Sequence, residues 1–201
     1  RGIMKLVNLS DKELVRIYIK GDEIALQELV NRHRSRIYSY ILATIKNKAL
    51  AEDFFQDTFI KVIQTLKGGK YNEEGKFLPW VMRISHNLMI DYFRKEKRFR
   101  KVNGKSRDNE EYDVFSTIGY EELNMEERLI KAQVKTDVKE LIERLPDEQK
   151  EVVLLRHYYD MSFKEISDIT NVSINTALGR MRYALINLRK LVEEKGVSLE
   201  M

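Results

Sequence analysis

The sequence predicts an all-α protein: two helical domains joined by a flexible linker. Three observations lead there. Apolar residues recur at helical spacing in nearly every stretch that has a period at all. Only two prolines interrupt 201 residues, which leaves long runs free to be helical. Two Ser-x-x-Glu pairs, Ser10–Glu13 and Ser162–Glu165, stand directly before apolar runs, as helix-starting capping boxes do.

The elements follow in chain order. Residues 10 to 45 read as two helices. Ser10 and Glu13 open the first, ahead of Leu14, Ile17 and Tyr18. Gly21 stops it and Asp22 caps the second, whose apolar residues are Ile24, Leu26, Leu29, Val30, Ile37, Ile41, Leu42 and Ile45. Residues 51 to 66 carry one buried stripe, Ala51, Phe54, Phe55, Thr58, Phe59, Val62, Ile63 and Leu66. The other side of that helix shows Asp53, Gln56, Asp57 and Ile60. An isoleucine among exposed acids suits either an ordinary surface or the centre of a partner-binding face. Glycine and polar residues make 67 to 76 a loop. Pro79 then suits the first turn of another helix. Its expected buried stripe is Phe77, Val81, Ile84, Leu88 and Tyr92, with Arg83, His86, Asn87, Ile90 and Arg94 facing away. A basic run from Arg94 to Arg107 follows.

From about 102 to 125 the period dissolves into polar and acidic residues, as in a linker. Periodicity resumes at Leu129, Ile130, Val134, Val138, Leu141, Ile142 and Leu145, and Pro146–Asp147 restarts the chain as a helix with Val152, Val153, Leu155 and Tyr159. Ser162 and Glu165 then open a short helix with Ile166 and Ile169 inward. Asn171-Val-Ser173 is a three-residue turn, and Ser173 caps a longer helix from Ile174 to about Val192. Short helix, turn and long basic helix are the arrangement of a DNA-binding helix-turn-helix. Ser173, Asn175, Thr176 and Ala177 would sit at the base edges, Asn175 suited to adenine and Ala177 or the Thr176 methyl to a thymine methyl. Arg180 would reach guanine or phosphate, and Arg182, with Arg189 and Lys190, would extend the basic side toward the DNA backbone. A capped helical hairpin with a solvated basic face fits the same local pattern. Gly179 in mid-helix is explained by close approach of DNA or of another helix.

Composition narrows the function classes. The net charge of +4 is a mild excess that by itself fits a solvated surface as well as nucleic acid. There is no cysteine, so disulfides and thiolate metal sites are excluded, consistent with a cytoplasmic protein. No apolar run approaches a membrane span, no leader sequence is read, and no membrane insertion is expected. Arg1 to Ile3 precede Met4, the expected natural start. His33, His86 and His157 have no ligand spacing, and no Gly-rich phosphate loop follows a strand. No metal, no cofactor and no catalytic residue is therefore expected. Asp53 and Asp57, four apart on a helix, fit a solvated or docking face better than an acid–base pair.

Three segments carry a family resemblance. Ala51-Glu-Asp-Phe-Phe-Gln-Asp-Thr-Phe59 resembles the polymerase-binding helix of the sigma-70 family. Residues 77 to 94 resemble its promoter-recognition helix, and Leu145 to Arg156 with the helix-turn-helix resemble its C-terminal domain. Order and length are similar to the extracytoplasmic-function (ECF) group of sigma factors. Ala177, where a bulkier aliphatic is common, and Gly179 depart from the pattern and bear on base preference.

The resemblance implies region 2 at 1–100, a linker at 101–127 and region 4 at 128–201. It implies that Asp53, Gln56, Asp57 and Ile60 contact the clamp of the largest core RNA polymerase subunit. Arg83, His86, Asn87, Asp91, Arg94, Lys95 and Arg98 would handle the melted minus-ten element, with Ser85 to Asn87 near a captured base. Ser173, Asn175, Thr176, Ala177, Arg180 and Arg182 would read the minus-thirty-five element of promoter DNA, and the same domain would meet the flap of the second large subunit. An anti-sigma factor is a further implied partner. The separation can be checked from chain geometry: about 30 extended residues reach roughly 100 Å, whereas elements about 20 base pairs apart lie about 70 Å from each other. Two rivals remain: a repressor or activator that works without polymerase, and a helical interaction scaffold.

Overall fold

The computed structural model describes residues 6–72, 76–103 and 137–195, with side chains of α4 described to Arg98. Among the described residues there are helices and turns and no strand, as the periodicity predicts. The chain divides into two compact units, within Arg1–Val114 and Phe115–Met201.

The described residues of the first unit include four helices of eight residues or more. α1, Asp11–Ile19, starts at the Ser10–Glu13 capping box, in which each partner's side chain accepts the other's backbone N–H. Gly21 takes φ 109°, a left-handed value open to glycine, and Asp22 caps α2, Glu23–Ile45, by accepting the Ile24 N–H at 3.0 Å. Asn47 caps α3, Lys48–Lys67, a start three residues earlier than the apolar stripe reveals. α4 spans Phe77–Asn103 and runs three residues past the expected domain end at 100. After Pro79 in its first turn, no proline or glycine occurs before Gly104. α2, α3 and α4 pack on one another, and α1 lies on α2. Leu14, Leu29, Ile37, Ile41, Val62, Leu66, Phe77, Val81, Met82 and Met89 are fully or almost fully buried there. Ile24, expected inward, is 44% exposed beside the cap.

Polar side chains fix how α1 sits on α2. Arg32 donates to Asp11 at 2.8 Å and to the carbonyls of Leu9 and Val7 at 2.9 and 3.1 Å. His33, buried against the Phe77 ring, lies 2.7 Å from the other Asp11 oxygen. Burial raises the Asp11 carboxyl, but the hydrogen bonds and charges of His33 and Arg32 outweigh this and hold it below the usual carboxylate range.

The described part of the second unit opens with helical residues 137–143. α5, Asp147–His157, follows Pro146; α6, Phe163–Thr170, opens at the Ser162–Glu165 capping box; α7 spans Ile174–Lys195. Leu141, Ile142, Leu145, Val152, Val153, Leu154, Leu155, Tyr159, Met161, Ile166 and Ile169 form the core. Lys150 is buried and pairs with Glu143 at 3.0 Å. Lys195 of α7 pairs with Glu140, and Arg144 with Glu194 at 3.7 Å, so the far end of α7 is tied to the segment just before α5. The expected linker 101–127 lies outside the described residues beyond Asn103, as do Leu129, Ile130, Val134 and the boundary at 127/128.

Asp11→Asn should cost about 1–3 kcal/mol near neutral pH, because it removes a charged acceptor from a part-buried pair of donors. Fluorescence of Trp80, the chain's single tryptophan, follows urea unfolding of this unit. A depressed folded pKa gives stability that is complete above the unfolded value of about 3.9 and lost as pH falls through the folded value. The deficit of the variant should therefore shrink below about pH 4. A deficit of the same size at pH 3 and pH 7 would contradict the assignment.

Candidate functional site

Three helix faces carry the candidate residues, two in the first unit and one in the second. α3 buries Ala51, Thr58, Phe59, Val62 and Leu66. Phe54, Phe55 and Ile63 are half-buried, so the whole expected stripe faces inward. Asp53, Gln56, Asp57 and Ile60 are all exposed on the opposite side, Ile60 at 51%. The direction of this face is held by Thr58, whose hydroxyl donates to the Phe54 carbonyl at 2.7 Å and lies 3.2 Å from the Ser85 hydroxyl of α4.

On α4 the buried side is rotated from the expected one. Leu78, Val81, Met82, Ser85, His86 and Met89 are buried, whereas Ile84, Leu88 and Tyr92 are only half-buried. His86 is therefore a correction. It is 7% exposed, with Nδ1 3.3 Å from the Tyr40 hydroxyl of α2, and so lies in the interior and not on the outward face. Ser85, fully buried and hydrogen-bonded to the Val81 carbonyl, is likewise withdrawn from base capture. Arg83, Asn87, Asp91, Arg94, Lys95 and Arg98 are exposed. Arg83, Asn87, Asp91, Arg94 and Arg98 fall at i, i+4, i+8, i+11 and i+15, one continuous line on a helix. Asp91 and Arg94 pair loosely at 3.7 Å, both well exposed. Near the start of the helix, Tyr71, Trp80 and Phe77 form an edge-on aromatic cluster, with Tyr71 and Trp80 centroids 4.5 Å apart. Tyr71 entered no sequence expectation, because a tyrosine in a loop has no period to mark it.

In the second unit, Asn171 ends α6 in the left-handed conformation, φ 55°, as the turn requires. The Ser167 hydroxyl donates to the Val172 carbonyl at 2.6 Å and stiffens the turn. Ser173 accepts the Thr176 N–H at 3.1 Å, and its hydroxyl is 2.9 Å from that of Thr176. Both residues are exposed, with their hydroxyls engaged in the cap. α7 packs on α5 and α6 through Ala177, Met181 and Ala184. Ala177 is fully buried, the second correction: it anchors the helix and cannot meet a base. Arg180 is half-buried and pairs with Glu148 of α5 at 3.3 Å. Asn175 and Arg182 are exposed on the outward face. Leu178, 44% exposed, lies there too. Its spacing of three from Asn175 was a signal available in the sequence. A Cβ at Gly179 would meet nothing within 4 Å. Glycine at such a position costs about 1 kcal/mol relative to alanine.

Among the described residues no group of three His, Cys, Asp or Glu is placed to hold a metal ion, and no helix is long and apolar enough to cross a membrane. The faces offer charge, amide groups and apolar contacts.

Comparison with known proteins gives consistent matches. Residues 29–99 match the family model described as Sigma-70 region 2, and residues 135–183 that described as Sigma-70, region 4. Together the two matches span more than half of the chain. The ECF RNA polymerase sigma factor SigW of Bacillus subtilis is 26% identical over 91% of this chain and 97% of its own length. The fold is similar to that of CnrH, solved in complex with the cytosolic domain of CnrY: TM-score 0.61, 21% identity, 92% of this chain and 97% of that one covered. It is also similar to the sigma factor RpoE of Bartonella quintana, solved with the anti-sigma factor NepR: TM-score 0.64, 17% identity, coverage 84% and 96%.

The burial pattern of α7 makes opposite predictions for neighbouring positions. Ala177→Leu should destabilise the second unit by about 1–3 kcal/mol through overpacking. Asn175→Ala should change stability by no more than about 0.5 kcal/mol. Thermal unfolding followed by helical circular dichroism measures both; equal effects would contradict the assigned rotation of α7.

Proposed function

Because the chain belongs to the sigma-70 family, in its extracytoplasmic-function group, we propose that it binds core RNA polymerase and directs it to specific promoters. The observation that carries this reading is the outward face of α3. A stripe packed on α2 and α4 forces two acids, an amide and a half-exposed isoleucine to one side, and the fold has no use for Ile60 there. An apolar centre ringed by polar groups is the composition of a docking site. In this reading Asp53, Gln56, Asp57 and Ile60 engage the clamp of the largest polymerase subunit.

The line Arg83, Asn87, Asp91, Arg94 and Arg98, with Lys95 beside it, takes the minus-ten element. The cations hold phosphate and the amide offers base-edge hydrogen bonds. Asn175 and Arg182 read the minus-thirty-five element from α7, with the Ser173–Thr176 cap presenting a helix N-terminus to phosphate. Arg180 joins them by exchanging Glu148, an exposed partner of little energetic weight, for DNA. Residues 1–100 then act as region 2 and 128–201 as region 4, the latter also meeting the flap of the second large subunit. The chain positions the polymerase, which performs the chemistry, and it works in the cytoplasm. Two structural neighbours were solved with partner proteins, one of them named an anti-sigma factor. An anti-sigma factor covering these faces is the expected regulator.

Run-off transcription of a genomic library with purified core polymerase should give discrete start sites only when this chain is added. Random initiation would contradict the reading. Asp53→Lys with Gln56→Ala should weaken co-elution with core polymerase by about tenfold or more, the equivalent of about 1.4 kcal/mol, with helical content unchanged. Undiminished co-elution would remove α3 as the docking face.

A further inference from the structure

The rotation of α7 places Leu178 and Gly179 on the outward face between Asn175 and Arg182, at i, i+3, i+4 and i+7. A single exposed leucine is ordinary. Three further observations set this one apart. Gly179 answers no need of the fold: its backbone is not in the left-handed region, and the space where a Cβ would stand is open. Helix stability is given up for bare backbone at a half-buried position directly beside the exposed Leu178. Along this part of α7 itself the charge is one-signed: from Ser173 to Val192 the sequence has Arg180, Arg182, Arg189 and Lys190 and no acidic residue, and Glu148 of α5 reaches this stretch from outside, paired with Arg180. The apolar side chain therefore sits in a cationic setting, which favours a polyanion as the approaching surface.

We propose that Leu178 is a specificity-determining residue that contacts the C5-methyl group of a thymine in the upstream promoter element, and that Gly179 lets α7 seat deeply enough for it to do so. The proposal rests on the reading of α7 as the minus-thirty-five reader. On the floor of the major groove the apolar feature is the thymine methyl. A branched side chain one position from bare backbone reaches it where a longer cation at the same place would hold the helix away. Asn175 and Arg182, one on each side along the helix, supply hydrogen bonds to neighbouring base edges. Leu178 thereby takes the role that Ala177, buried beneath it, cannot fill. Ile174 and Leu185, 45% and 46% exposed at i−4 and i+7 from Leu178, continue an apolar edge. That edge leaves a protein surface as the competing occupant.

The test uses holoenzyme assembled from the full chain and core polymerase, on a promoter duplex recovered by run-off selection. Each thymine of the upstream element is replaced in turn by deoxyuridine, which removes only the methyl. At one or two positions wild-type affinity should fall about fourfold, the worth of one buried methyl group. The Leu178→Ala holoenzyme should bind the thymine duplex about as weakly and be indifferent to the same replacement. Gly179→Ala should raise the melting temperature of the free chain yet weaken promoter binding by about tenfold or more. Indifference of the wild type to every replacement, or an element without thymine, overturns the proposal while a penalty for scrambling that element keeps α7 as its reader. No penalty for scrambling defeats that reading itself. Loss of co-elution with core polymerase in Leu178→Ala, without any deoxyuridine effect, assigns the apolar edge to a protein contact and also overturns the proposal.

Discussion

Burial of one arc of each helix, and the exposure this forces on the opposite arc, is the constraint from which the functional surfaces follow. On α7 the arc is set by Ala177, Met181 and Ala184. Two of the three are alanines, so the helix lies close to α5 and α6 and has little freedom to roll. Asn175, Leu178 and Arg182 are turned outward by that packing. On α3 the same logic runs through Ala51, Thr58, Val62 and Leu66, and delivers Asp53, Gln56, Asp57 and Ile60 to the surface. Neither outward face contributes to the core, so each is free to be chosen by a partner.

The directional polar contacts explain why these arcs are defined sharply. An apolar stripe tolerates some rotation, because hydrophobic burial has no preferred direction. The Thr58–Ser85 and Tyr40–His86 contacts do not. They lie between helices in the buried interior of the first unit, where an unmet hydroxyl is costly. The Asp11 pair with Arg32 and His33 does the same for α1 on α2. In the second unit Asn187 donates to Gln149 at 2.8 Å, fixing α7 against α5 half-way along its length.

Those contacts also mark where the sequence was legible and where it was not. The capping boxes, the Gly21 stop, the Asn171 turn and the α3 stripe are local patterns, and each appears where the residues put it. The rotation of α4 was misread because Ser85 and His86 are polar, and a hydrophobic period treats polar residues as outward. Their inward placement depends on hydroxyl partners 27 and 46 positions away in the chain, which no local period contains. Ala177 was misread for a different reason: a methyl side chain suits a tight helix contact and a thymine contact alike. The start of α3 at Lys48 was missed because its cap, Asn47, precedes the first stripe residue by a full turn. Of the candidate site, the residues chosen for charge or amide chemistry are exposed, apart from the half-buried Arg180, whereas His86 and Ala177 are buried.

In the proposed function one chain presents α3 to polymerase and α7 to upstream promoter DNA. The absence of cysteine makes a direct measurement simple. Single-cysteine variants Ile60→Cys and Leu178→Cys, each carrying a tethered hydroxyl-radical generator, are assembled with core polymerase on a promoter. The account predicts that the probe at 60 cuts the largest polymerase subunit and spares the upstream element. The probe at 178 should cut that element across its major groove, and only when core polymerase is present in the complex. Cleavage of upstream DNA from position 60, or none from position 178, would contradict it.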